Sequence, residues 1–261
     1  MKSSDNRPFV YEKHQLIETI CQLRFPTILS IETKEPADFQ DTIRAAFPGY
    51  TVQMDPVTGP DGKPAQVKNH SFVSENGAFK ISLTKDFIAL STMRYPGWEE
   101  FARTLDEPLG QFIQVYHPAF FQRVGLRFVN AFSREKLELA DRRWSELVQP
   151  RYLSVLNDGE VNEADVAKCA VDIERRLDER CGVKLHAGPG NIRRTVRKGA
   201  GVQTVQEPET RFILDLDVYA NGNTKLGEAA ETLQQLHVWA DRLFSDAITD
   251  VLHEAMEPVE I

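Results

Sequence analysis

Four charged residues on two otherwise apolar stretches are the first places where this chain could do chemistry. In FFQRVGLRFVNAF, residues 120–132, Arg123 and Arg127 share one face of a strand with Gly125 between them. In RFILDLDVYA, residues 211–220, Asp215 and Asp217 share a face while Phe212, Leu214, Leu216 and Val218 fill the other. On adjacent strands these groups meet as cross-strand ion pairs, which fix register and, if partly buried, leave each charge dependent on its partner. That structural role is the preferred reading. The chemical alternative, an Asp-x-Asp edge holding a divalent cation, lacks a His or Glu at fixed spacing, so no metal site is expected.

A second candidate is the run HAGPGNIRRTVRKGAG, residues 186–201. Its glycines leave backbone amides accessible, and Arg193, Arg194, Arg197 and Lys198 are suited to an anion such as phosphate. The run has no P-loop spacing, and without interleaved aromatics it is a poor single-stranded nucleic-acid platform. A solvated hairpin tip is the preferred reading. A third candidate is His237, one turn before Asp241, an arrangement that can orient a general base. Neither a GxSxG elbow nor HExxH accompanies it, so no catalytic residue is assigned and no enzymatic set is assembled. Cys21, Cys169 and Cys181 form no CxxC pair and suit reduced thiols.

The composition is that of an ordinary globular protein, with 261 residues, 41% hydrophobic and 27% charged. A formal net charge of −8 argues against a dedicated DNA binder. No apolar run approaches the roughly 18 residues of a membrane span, and the N-terminus lacks a secretory h-region. A cytoplasmic protein without cofactor follows, with homo-oligomerisation left open.

The elements that must position these residues read as two cycles. QLIETICQLRF alternates as a strand, DFQDTIRAAFPGY as a short helix capped by Asp38, and 55–68 is a Gly/Pro-rich loop. Three antiparallel strands follow through residue 92, with Asn76-Gly77 suited to a type I′ turn. Residues 98–116 carry helical spacing, with Pro108 expected to kink or split the helix. The second cycle opens at RVGLRF, which shares LRF with ICQLRF. SREKLELADRRWSELV then reads as helix, residues 171–185 favour a hairpin, NIRRTVRKGAG is a loop, and RFILDLDVYA is a strand. Asn221-Gly222 reads as a turn before one long helix from Thr224 to Met256. The expectation is an α+β fold of two pseudo-repeats, residues 1–118 and 119–261, packed as one globule in a helix-grip or saddle arrangement.

The ordered motifs LRFP, DFQDTIRAAFPGY, YPGWEEF, RVGLRFVN, LDLDVY and LHVWADRLFSDAIT resemble a sporadically distributed, uncharacterised bacterial family of about this length. The resemblance spans nearly the whole chain. It implies a bacterial cytosolic protein from variable genome regions, in a defence or toxin–antitoxin setting, and supplies no activity. The resulting expectation is a non-enzymatic protein that binds a protein partner as a regulatory, sensing or antitoxin-like component. The alternative is a small anionic or nucleotide-like ligand held beneath the terminal helix by Arg123 or Arg127.

Overall fold

The computed structural model describes residues 9–58, 62–198 and 201–260. The elements in order are β1 (Phe9–Tyr11), β2 (Leu16–Arg24), α1 (Leu29–Thr33), α2 (Ala37–Ile43), β3 (Gly49–Thr58), β4 (Pro64–Val73), β5 (Phe79–Leu83), β6 (Phe87–Thr92), α3 (Trp98–Tyr116), β7 (Phe121–Phe132), α4 (Trp144–Leu147), β8 (Val171–Arg176), β9 (Cys181–Lys198), β10 (Gly201–Thr224), α5 (Ala229–Ser245), α6 (Asp250–Ala255) and β11 (Pro258–Glu260). Nine strands form one antiparallel sheet in the order β3-β4-β5-β6-β2-β7-β10-β9-β8, and β1 pairs separately with β11. The protein is α+β.

Alternation along the strands decides what the sheet buries. Cys21 and Leu23 of β2, Val124, Leu126 and Phe128 of β7, and Leu214, Leu216 and Val218 of β10 all point into one core. The helices cover that face because each carries an apolar stripe. In α3, Phe112 packs its ring, tilted, against Phe25 at 4.7 Å between centroids, and α5 lies against β7 and β10 through Leu233, Leu236, Ala240 and Leu243. Among the described residues no helix covers the opposite face. It is lined by Arg123, Gly125 and Arg127, by Asp215, Asp217 and Tyr219, and by Lys184 and His186.

Several local expectations change. The segment 55–68 is largely strand: β3 runs to Thr58 and β4 starts at Pro64, while residues 59–61 lie outside the described residues. Pro56 is tolerated because β3 is an edge strand, where one ladder side needs no donor. Asn76-Gly77 is not type I′, since of the two only Gly77 has a positive φ, 64°. The Gly77 N–H closes the turn on the Ser74 carbonyl at 2.8 Å. The helix α3 runs unbroken through Pro108, whose ring is buried with the rest of the apolar stripe. Helix α2 has Pro36 rather than Asp38 at its cap, and Asp38 sits in the first turn.

In the second half, SREKLELADRRWSELV forms turns and only the short α4, because Glu138 takes a left-handed conformation (φ 59°) that ends any helix there. NIRRTVRKGAG is not a loop up to Lys198, because its backbone continues the β9–β10 ladder, with Arg193 opposite Gln206 and Lys198 opposite Gly201. Asn221-Gly222 makes no turn. Gly222 (φ 96°) shifts the register within β10, which continues to Thr224 opposite Phe121. The terminal helix is two helices. Residues 246–249 leave it so that Ile248 can bridge Val148 and Thr249 can cap α6 by accepting from Leu252 N–H.

Candidate functional site

Arg123 and Arg127 come together with Asp215 and Asp217 on the open face of the sheet. Arg127 donates through Nε and Nη2 to the two oxygens of Asp215, at 2.8 and 2.5 Å. Arg123 donates through Nη2 to both oxygens of Asp217, each at 2.8 Å. The pairing is diagonal, since in the ladder Arg127 stands opposite Asp217 and Arg123 opposite Asn221. Arg123 therefore runs along its own strand over Gly125. A Cβ at Gly125 would lie 2.3 Å from Arg123 Nη1. The guanidinium also sits 4.7 Å from the centroid of the Tyr219 ring, a cation–π contact.

The same face continues onto the edge strands. Tyr219 donates to Glu174 at 2.9 Å, Lys184 lies 3.7 Å from Glu174, and His186 Nδ1 lies 2.8 Å from Asp172. Asp172, Glu174, Lys184 and His186, together with Arg127, Asp215 and Asp217, border an open groove of about 450 Å³. Four carboxylates line it against Arg127 and Lys184 as cations. The arginines are engaged by Asp215 and Asp217, whereas Asp172 and Glu174, although they contact His186 and Tyr219, keep most of their side-chain surface open to solvent. Arg123 and Arg127 lie on the face opposite α5, so they do not line a space beneath that helix.

Arg193 is exposed on the arm formed by β9 and β10. It does not join this cluster. The side chains of Arg194, Arg197 and Lys198 lie outside the described residues. Among the described residues no group of three or more His, Cys, Asp or Glu is placed to hold a metal ion, and no helix is long and apolar enough to cross a membrane.

His237 lies on the helical side, stacked on Trp98 at 4.3 Å and edge-on to Phe128 at 6.1 Å. Its Nδ1 is 3.4 Å from Asp241 Oδ2. Burial lowers the imidazole to about 4, and burial raises the Asp241 carboxyl to about 6. Burial keeps the imidazole neutral, and its stacking on Trp98 fastens α5 to the start of α3; Trp98 Nε1 also donates to Gln234 at 2.7 Å.

One polar cluster escaped the reading of the sequence. Arg211, 5% exposed, is bonded to Glu207 and, at 3.2 Å, to Glu209, where the β9–β10 register shifts between Gln206 and Thr210. Glu209 also accepts from the Ser133 hydroxyl at 2.6 Å and the Glu135 N–H at 3.1 Å. Burial raises the Glu209 carboxyl, but those donors and Arg211 outweigh it, so the net shift is downward. The signal was present in EPETR, whose alternate residues Glu207, Glu209 and Arg211 fall on one side of a strand.

No protein-family model matches the chain, and no curated protein matches it.

Proposed function

We propose that this chain is a non-enzymatic binding protein that recognises a basic segment of a protein partner on the open face of its sheet. The observation that carries this reading is the groove bordered by Asp172, Glu174, Asp215 and Asp217, whose two rim carboxylates face solvent. An acidic, solvent-facing groove on a chain of net charge −8 complements Lys and Arg side chains and speeds encounter with them. A small anionic or nucleotide-like ligand is the weaker reading. Its arginines are occupied by carboxylates, and it would meet Asp172 and Glu174 on entering.

The setting proposed for such binding, on the motif resemblance alone, is a bacterial defence or mobile-element system, with the chain as a regulatory, sensing or antitoxin-like component in the cytoplasm. The strand order favours an origin in two like units meeting near residue 118. In each half the last strand lies beside the first, β6 beside β2 and β10 beside β7, and the two first strands adjoin at the centre with Arg24 opposite Arg123.

The test is co-purification from the native host under several stress or phage conditions, with wild type beside an Asp172→Asn, Glu174→Gln variant. The expected result is a basic partner that is retained by wild type, lost in the variant and weakened by salt, with an unchanged Tm. No partner under any condition, or one held equally by the variant, overturns the proposal.

A further inference from the structure

The two edges of the large sheet differ in how they meet solvent. The edge strand β8, VDIERR, carries four charged side chains in its six residues, the usual protection against pairing with another chain. The edge strand β3, GYTVQMDPVT, carries one in ten, and Tyr50, Val52, Met54 and Val57 are all exposed on it. An exposed, nearly uncharged edge strand of this length is a template for a further strand.

The ladder shows which backbone groups β3 offers. Ser74 N–H donates to Phe79 O, so the even-numbered residues of β4 bond towards β5 and the odd-numbered ones towards β3. Across the β3–β4 register, Gly49, Thr51, Gln53 and Asp55 therefore bond to Val73, Ser71, Asn69 and Val67. The outward-facing groups belong to Tyr50, Val52 and Met54. Pro48 and Pro56, which have no N–H, stand four residues to either side of Val52. The available stretch is thus symmetric about Val52.

We propose that β3 pairs antiparallel with β3 of a second copy of this chain, across a two-fold axis at Val52, joining the two sheets edge to edge. In that register Val52 faces the second copy's Val52, and Tyr50 faces its Met54 in both directions. Each of these pairs exchanges two hydrogen bonds, and they bring the apolar side chains together on one face, aromatic against thioether. Pro48 falls opposite Pro56, so the bonded stretch ends at that pair, whose two carbonyls are left to solvent at the ends of the seam. On the other face Asp55 meets Gly49 and Gln53 meets Thr51, so no like charges are opposed. An axis at Gln53 would set Pro56 opposite Tyr50, so its two end pairs would each keep a single hydrogen bond, whereas at Val52 every bonded pair is complete. An isologous, self-complementary patch is the requirement for a closed dimer.

Light scattering after size exclusion tests this with the full chain at about 100 μM, which fills a dimer of micromolar Kd. Wild type is expected at twice the chain mass of 29.6 kDa. Val52→Lys, which opposes two ammonium groups on the axis, is expected at the chain mass with unchanged circular dichroism. Met93→Lys, which changes an exposed residue outside the strand, leaves the dimer intact. Under mild oxidation Val52→Cys closes an intermolecular disulfide, because facing residues of a bonded pair lie about 5.5 Å apart at Cα, whereas Asp55→Cys, displaced from the axis, does not. A wild type that stays at 29.6 kDa overturns the proposal, as does a dimer that survives Val52→Lys or one that Val52→Cys fails to link.

Discussion

Arg123 reaches Asp217 only because Gly125, two residues along the same strand, has no side chain. The guanidinium crosses the space a Cβ would fill, and that path also lays it over Tyr219. Gly125→Ala is therefore expected to displace Arg123 and cost about 1–2 kcal/mol. In an Arg123→Ala background the same change should cost almost nothing, since an alanine suits a strand better than a glycine. A double-mutant cycle by chemical denaturation measures the coupling, expected at about 1 kcal/mol or more. Strict additivity would show that Gly125 is needed for another reason.

That relationship shows what the sequence could and could not convey. The period-2 pattern put Arg123 and Arg127 on one face and Asp215 and Asp217 on another, because alternation follows from backbone geometry alone. It could not say that each arginine reaches diagonally past its directly opposed residue, which depends on register and on the room above Gly125. The helix α3 and the strands β2, β5 and β6 were legible for the same reason of clean periodicity. The break between α5 and α6 was not, because it is made by pairing of Ile248 with Val148, a hundred residues away. Hairpin β3–β4 was hidden by a Gly/Pro-rich composition that suits an edge strand as well as a loop.

Arg211 should be among the least replaceable charged residues. Arg211→Ala would remove the guanidinium held by the side chains of Glu207 and Glu209, 16% and 12% exposed, at a cost of about 3–5 kcal/mol. Adding Glu207→Gln and Glu209→Gln to that variant is expected to recover part of the loss, because an amide is cheaper to bury than a carboxylate. Urea denaturation of the three proteins checks the order. A single variant as stable as wild type would mean that the cluster is solvated.

His237 and Asp241 give opposite pH dependences over one window. The imidazole is lowered from 6.5 to about 4 by burial, so its contribution is complete above pH 6.5 and is lost as pH falls towards 4. The carboxyl is raised from 3.8 to about 6, so its contribution is complete below pH 3.8 and is lost as pH rises through 6. The histidine side chain is 15% exposed and the aspartate 52%, so solvent screens the aspartate more and the histidine dominates. His237→Gln should cost stability at pH 7, through the lost stacking on Trp98, and less at pH 4.5. Its deficit is expected to shrink by up to about 3 kcal/mol across that interval. Melting curves of both proteins from pH 7 to 4.5 decide it, and a deficit independent of pH would contradict a buried neutral imidazole.

The arm formed by β9 and β10 offers the contrast with the sheet centre. Arg193 is exposed, as are Gln203, Thr204, Val205 and Gln206 on the strand opposite, so Arg193→Ala should stay within about 0.5 kcal/mol of wild type. Arg127→Ala, which strands Asp215 at 18% exposure, should cost about 1–2 kcal/mol, less than a fully buried pair because Arg127 itself is 43% exposed. Replacing Arg193, Arg194, Arg197 and Lys198 together is expected to leave Tm nearly unchanged. If the arm bound nucleic acid, wild-type affinity would fall with salt at a log–log slope of roughly −0.7 to −0.9 per phosphate contact. Four clustered cations on a chain of net charge −8 predict little such binding at physiological salt. Fluorescence anisotropy with labelled RNA and DNA checks this, and sub-micromolar binding that vanishes in the quadruple variant would make the arm, rather than the acidic groove, the functional surface.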